Sequence, residues 1–283
     1  MSDPLVIRRM READLPFADS IRALAGWNQT SADWRRFLAL EPEGCFVAEW
    51  AGRPTGTATT TRHEGGVAWI GMVLVHPESR RRGIGRALLC RCLEHLDSAG
   101  CRCIKLDATP DGRPLYETLG FREEWPLTRW EGVPAFSETA CAEGEPLGEA
   151  DRAALFALDE AAFGVSRRRL LEKLLEESAI RVARKEGRPV AFAMRRPGSR
   201  AAYLGPILAE REGDWRPLAA ALLAGVAGQP VFWDIPEAAA DAGAWAERLG
   251  FRRQRPLVRM FRGTNALPGV PAQQHALTDP ATG

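Results

Sequence analysis

The chain has 283 residues, enough for two domains, and its 38 basic and 37 acidic side chains leave a formal net charge of +1. That balance offers no basic surface for nucleic acid or membrane, no apolar run is long enough to cross a bilayer, and Met1-Ser-Asp-Pro4 carries no charged-then-apolar leader. The expectation is a cytoplasmic protein, monomer or homodimer, that engages neither nucleic acid nor membrane.

Along the chain, a strand at residues 5–9 precedes an amphipathic helix, and a second helical stretch covers residues 31–40. Two hairpin strands follow, joined at Gly52-Arg53-Pro54. The apolar run Trp69-Ile-Gly-Met-Val-Leu-Val75 reads as a central strand, stopped by His76-Pro77. Next comes Arg80-Arg-Arg-Gly83-Ile84-Gly85-Arg86, and then Leu88, Leu89, Leu93 and Leu96 at helical spacing. A further strand ends near Asp107, and a short helix contains Tyr116.

The same order then recurs. Arg11-Glu-Ala-Asp14 returns as Gly148-Glu-Ala-Asp151, and Gly52-Arg-Pro54 as Gly187-Arg-Pro189. Ala68-Trp-Ile-Gly71 returns as Ala202-Tyr-Leu-Gly205, Leu106-Asp107 as Trp233-Asp234, and Leu119-Gly-Phe121 as Leu249-Gly-Phe251. The separation drifts from 137 residues (Arg11 to Gly148) to 130 (Leu119 to Leu249), as a duplication with small insertions and deletions leaves it. Alternating strands and helices imply an α/β fold with a mixed sheet. The domain reading is 1–137 for a first unit, 138–146 for a linker, 147–263 for a second unit and 264–283 for a tail. The tail is rich in Pro, Gly and Ala, and is expected to be loose or to lie across the other domain.

The stretch at residues 80–86 carries the chemistry. A strand, a basic glycine loop and a helix in that order aim backbone N–H groups and a positive helix end at one spot. Gly83 and Gly85 let an anion approach the backbone, and the arginines add charge. The guest this suits is a phosphate or pyrophosphate. The loop lacks the Gly-x-x-x-x-Gly-Lys-Ser/Thr of a Walker loop. The second copy replaces it with Glu210-Arg-Glu-Gly-Asp-Trp215, whose carboxylates would repel a pyrophosphate, and has Ala246 in place of Tyr116. The cysteine pairs Cys90/Cys92 and Cys101/Cys103 lack zinc-ribbon spacing and read as buried thiols, so no metal is expected.

Arg80-x-x-Gly83-x-Gly85, the preceding Val73-Leu-Val75-His-Pro77, and the later Leu115-Tyr116-Glu-Thr-Leu-Gly120-Phe121 together resemble the GNAT N-acetyltransferase superfamily. The resemblance implies two tandem GNAT-like domains, each with a mixed, mostly antiparallel sheet flanked by helices. It implies acetyl-CoA as co-substrate. Arg80, Arg81, Arg82, Gly83, Ile84, Gly85 and Arg86 would hold its pyrophosphate, with Met72, Val73, Leu74 and Val75 along its pantetheine arm. Tyr116 matches the family's general acid, which protonates the departing sulfur.

The general base stays open, because residues 69–75 contain no acid; Asp107, His63 and a water chain are the candidates. Asp107 recurs as Asp234 in the copy without the motif, which favours a structural role. The acceptor pocket is expected at Trp27, Asn28 and Trp34, with Trp69, Trp125 and Trp130 as possible additions. The acceptor is expected to be a small-molecule primary amine. The alternatives are a non-catalytic acyl-CoA binder or sensor, and an acetyltransferase acting on protein amino termini or lysines.

Overall fold

A computed structural model describes residues 5–135, 144–211 and 213–283. In the first half, strands β1 (Leu5–Arg9), β2 (Cys45–Trp50), β3 (Arg53–Arg62) and β4 (Val67–Val75) form an antiparallel array. Helices α1 (Leu15–Leu24) and α2 (Ser31–Leu40) cover one face; α3 (Ile84–Ser98) covers the other. Strand β5 (Cys103–Ala108), helix α4 (Arg113–Thr118) and β6 (Arg122–Gly132) complete the half.

The sequence explains the local structure. Thr30 starts α2 with a capping box: its hydroxyl accepts from the Asp33 N–H, and the Asp33 carboxylate accepts from the Thr30 N–H. The stripe Leu88, Leu89, Cys92, Leu93 and Leu96 buries α3 on the sheet. Each full-sized apolar side chain in it contributes about 1.5–3 kcal/mol.

The second half repeats the plan. It runs through α5 (Arg152–Phe163), α6 (Arg168–Glu177), β7 (Ala179–Lys185), β8 (Arg188–Arg196), β9 (Ala202–Ala209), α7 (Arg216–Ala224), β10 (Val231–Pro236), α8 (Ala240–Arg248) and β11 (Arg252–Gly263). It has no counterpart of β1 among the described residues. Part of the expected linker joins this sheet, since Glu145 and Val182 exchange backbone hydrogen bonds of 2.9 and 3.0 Å. Residues 136–143, and Glu212 in the altered loop, lie outside the described residues.

The halves do not close separately. The strand order is β1-β2-β3-β4-β5-β11-β6-β10-β9-β8-β7 in one sheet. Thus β5 pairs with β11 of the other half, β10 pairs with β6, and β6 and β11 pair with each other at the centre. The two repeats have exchanged their last strands. Equivalent ion pairs mark the exchange: Asp107 on β5 binds Arg259 on β11, and Asp234 on β10 binds Arg129 on β6. All four side chains are buried.

The stretch expected to be loose or to lie across the other domain does the latter. Strand β12 (Gln274–Ala276) pairs with β9. The Leu277 N–H then donates to the Asp234 carbonyl at 2.9 Å, and Trp233 Nε1 donates to the His275 carbonyl at 2.9 Å. Residues 278–283 continue into the first half. There Trp69 Nε1 donates to the Pro280 carbonyl at 3.1 Å, and His63 Nε2 to the Thr282 carbonyl at 3.1 Å.

Candidate active site

Strand β4 pairs with β5 only through Val67–Trp69. Beyond that point the two strands part. A bulge explains why: between Gly71 and Leu74 the register with β3 slips, and Met72 takes a left-handed φ of 50°. Thr57 holds the distortion by donating its hydroxyl proton to the Met72 carbonyl at 2.9 Å. The bulge turns Met72 and Leu74 toward the α1–α2 core and Val73 and Val75 toward the α3 core. All four line the opening, a cleft of about 940 Å³. Across it, β5 leaves the cleft-side backbone of residues 70–75 without a strand partner.

The glycine loop forms one wall. Arg81 and Gly83 both take left-handed φ, 61° and 79°, and Gly83 caps the start of α3. A Cβ at Gly83 would meet nothing within 4 Å, so the space over the helix end is open. Arg80, Arg81, Gly83, Ile84, Gly85 and Arg86 line the cleft. The Arg82 side chain does not; its guanidinium lies 5.7 Å from the Trp50 ring centre, which corrects its expected place.

Tyr116 faces the same cleft. Its ring packs edge-on against Phe121, with centroids 6.1 Å apart, and rests over Gly112. A Cβ at position 112 would stand 2.9 Å from the ring, so the small residue there makes room for the tyrosine. Burial pushes the hydroxyl up to about 12, so Tyr116 keeps its proton at neutral pH.

The expected base candidates look different. Asp107 lines the cleft, but Arg259 Nε and Nη2 hold its carboxylate at 2.8 and 3.0 Å. Burial pushes this carboxyl up while the guanidinium opposes the shift. Its geometry is that of a structural ion pair, as its recurrence at Asp234 foreshadows. His63 lies outside the cleft lining and donates to Thr282; burial, with Arg167 adding repulsion, pushes it down to about 3. It is therefore a neutral donor fixed to the chain.

At the acceptor end, Trp27 lines the cleft together with Ala25 and Gln29. Asn28 does not. Its Oδ1 accepts from the Arg200 and Ala201 N–H groups, both at 3.0 Å, and its Nδ2 donates to the Ala201 carbonyl at 2.9 Å. It ties the α1–α2 loop to the β8–β9 loop. Trp34 is fully buried between α1, α2 and β4, edge-on to Phe37. Both expectations are corrected by burial: the Asn28 amide meets backbone partners, and the Trp34 ring packs in the apolar core with its Nε1 unbonded among the described residues. Trp69 is buried too, beneath Phe163 and Pro280, and Trp130 belongs to the second-half core.

Four lining residues beyond those singled out above bear on the acceptor end. Gln29 places a buried Oε1 without a hydrogen-bond partner among the described residues, while its Nε2 lies 3.3 Å from Asp279. Pro280 and Ala281 supply a wall, and Arg255 comes from the exchanged β11. Only Gln29 had a signal, its place beside Trp27. The other three reach the cleft through long-range pairings.

In the second half, β9 and β10 part after pairing at Ala202–Leu204, as β4 and β5 do. There β12 and Leu277 occupy the gap. Trp215 is fully buried at the start of α7, and Glu210 is paired with Arg188.

Two family models match the chain. "Acetyltransferase (GNAT) family" covers residues 9–121, and "Acetyltransferase (GNAT) domain" covers residues 155–276. The uncharacterized N-acetyltransferase YitH of Bacillus subtilis is 30% identical over 171 residues, 59% of this chain; the match spans 60% of that relative. Acetyltransferase SG1711 of Sodalis glossinidius is 34% identical over 103 residues, 35% of this chain and 70% of its own length. The crystal structure of a putative acetyltransferase from Pyrococcus horikoshii superposes over 99% of this chain and 96% of its own, with a TM-score of 0.81 at 23% identity. The chain belongs to the GNAT acetyltransferase family, with two GNAT units in tandem.

Proposed function

We propose that the chain transfers an acetyl group from acetyl-CoA to a primary amine of a small molecule, in the first half only. The observation that carries this is the open cleft between β4 and β5, with Gly83 at its helix end and Tyr116 at its side. Arg80, Arg81 and Arg86 would neutralise the pyrophosphate, and the α3 N-terminus would add N–H donors. The unpaired backbone of residues 70–75 would hold the pantetheine arm by strand-like hydrogen bonds.

The amine nitrogen attacks the thioester carbonyl carbon, the C–S bond breaks, and Tyr116 gives its hydroxyl proton to the sulfur. Neither lining carboxylate suits the base: Asp107 is held by Arg259, and the other lining acid, Asp111, is exposed in the turn before α4. A water chain carrying the amine proton out through the cleft mouth fits this lining. Trp27, Ala281 and Pro280 wall the acceptor end, which suits a small molecule better than a protein chain.

The test is release of coenzyme A thiol from acetyl-CoA across a panel of small amines and amino-terminal peptides. Turnover with small amines and none with peptides is expected. Thiol release with peptides alone would overturn the substrate class, and acetyl-CoA binding without any transfer would favour a sensor.

A further inference from the structure

Buried arginines in this protein come with carboxylates. Around the cleft, Arg129 has Asp234, Arg259 has Asp107, Arg196 has Asp279 and Arg36 has Asp33. Leaving such a cation unpaired is costly, and removing one partner of a buried pair destabilises by several kcal/mol. Arg255 departs from the pattern. It is half-buried, lines the cleft, and has neither an ion pair nor a hydrogen bond among the described residues. Its Nε is buried with no hydrogen-bond partner among the described residues.

Its neighbours make the deficit worse. Arg255 stands opposite Arg129 in the β11–β6 register. Arg129 is already committed to Asp234 through two bonds of 2.8 and 2.6 Å. Arg129 and Arg200 both press positive charge on Arg255, with only Asp234 opposing, and burial with that repulsion lowers its guanidinium to about 10. Arg200 also marks which end of the cleft this is, because its guanidinium bonds the Gly26 carbonyl in the loop that carries Trp27 and Gln29. The pyrophosphate loop lies on another wall.

Resting on the transferase reading above, we propose that Arg255 anchors a carboxylate on the acceptor, so that the substrate class is a small amine that also carries a carboxylate, as an amino acid does. A guanidinium fork donates two parallel hydrogen bonds to the oxygens of a carboxylate. Gln29 lines the same cleft. Arg255 comes from the second repeat, so the exchanged strand would give that repeat a role in acceptor choice while the first repeat holds the cofactor.

The test uses the full chain saturated with coenzyme A. Calorimetry compares N-acetyl amino acids with apolar side chains, the same compounds as primary amides, and N-acetylethanolamine phosphate. The free acids should bind at least about tenfold more tightly than the amides, the scale of one charged hydrogen-bonded contact. Arg255→Gln should remove that advantage, Arg255→Lys should keep part of it, and acetyl-CoA affinity should not change. Equal binding of acids and amides, no binding of either, a preference for the phosphate, or a fall in acetyl-CoA affinity in Arg255→Gln would each overturn the assignment. Transfer is scored separately with the free amines. A carboxylate preference in binding without any transfer sinks the transferase reading and leaves the anchor; transfer without that preference does the reverse.

Discussion

Ala281 lies so close to Gly71 that a Cβ on the glycine would stand 2.5 Å from the Ala281 carbonyl oxygen. Gly205, the matching glycine of the second repeat, is crowded in the same way by the Leu277 carbonyl. One segment thus crosses both places where the sheet splits. Gly71→Ala should push it off the first: overpacking of this kind costs about 1–3 kcal/mol. Urea unfolding should record that loss, and proteolysis should cut within residues 277–283 faster than in the parent. Unchanged stability and cleavage would mean that the segment adjusts freely.

Asp107→Asn tests the structural role of the Asp107–Arg259 pair. It leaves a buried guanidinium without its counter-charge, for which a cost of about 3–5 kcal/mol is expected. The midpoint of urea unfolding should fall, and Asp234→Asn should behave alike because its pair with Arg129 is equivalent. A stable Asp107→Asn protein that has lost only the acidic limb of its kcat–pH profile would restore Asp107 as the general base.

Gly83→Asp should weaken acetyl-CoA binding by at least about tenfold, which corresponds to about 1.4 kcal/mol. The carboxylate would enter the open space over the α3 N-terminus, and a left-handed φ of 79° adds backbone strain of about 1–2 kcal/mol for any side chain. Calorimetry on the parent should give one site per chain. Two sites would mean that the gap beside β9 still admits a cofactor despite β12.

Tyr116→Phe should lower kcat by about 100- to 10,000-fold with acetyl-CoA affinity nearly intact. Because the hydroxyl is pushed up to about 12, its loss should not alter the shape of the kcat–pH profile between about pH 6 and 9. A normal kcat would show that water protonates the thiolate.

His63 contacts the crossing segment and His275 lies in it, and burial lowers them to about 3 and about 4. The unfolded chain takes up these protons near pH 6.5, while the folded chain refuses them until far lower pH. Their contribution is therefore full above about pH 6.5 and is lost as pH falls toward the folded values. Each contributes a slope of up to about 1.4 kcal/mol per pH unit in that window. Unfolding free energies measured across the window should show the loss, and His275→Gln should flatten it. An unchanged slope in that variant would assign the acid sensitivity to the carboxylates alone.

What the sequence made legible was local. The loop at residues 80–86 and Tyr116 each depend on neighbours in the chain, so spacing alone marks them. Asn28 and Trp34 were misplaced because nothing in their own segment says whether an amide or an indole will meet a cleft or a partner; the β8–β9 loop decides for Asn28, and the α1–α2 core for Trp34. For the tail, the sequence left looseness and a crossing path as alternatives, because residues 274–276 pair with β9 at a gap that composition cannot reveal. The strand exchange was equally silent. The apolar pattern of β6 or β11 is the same whichever neighbour it pairs with.

That exchange also sets the timetable of synthesis. The bond from Arg259 to Asp107 closes a separation of 152 residues. As the chain leaves the ribosome, β5 presents an unpaired edge with a buried-type carboxylate on it until almost the whole second repeat has been made. Contacts this distant slow folding, and an open apolar edge meanwhile invites the wrong partner. A chain cut after Gly132 would hold every residue of the glycine loop and Tyr116, yet keep that edge permanently. The half that carries the glycine loop cannot complete its sheet without the other repeat.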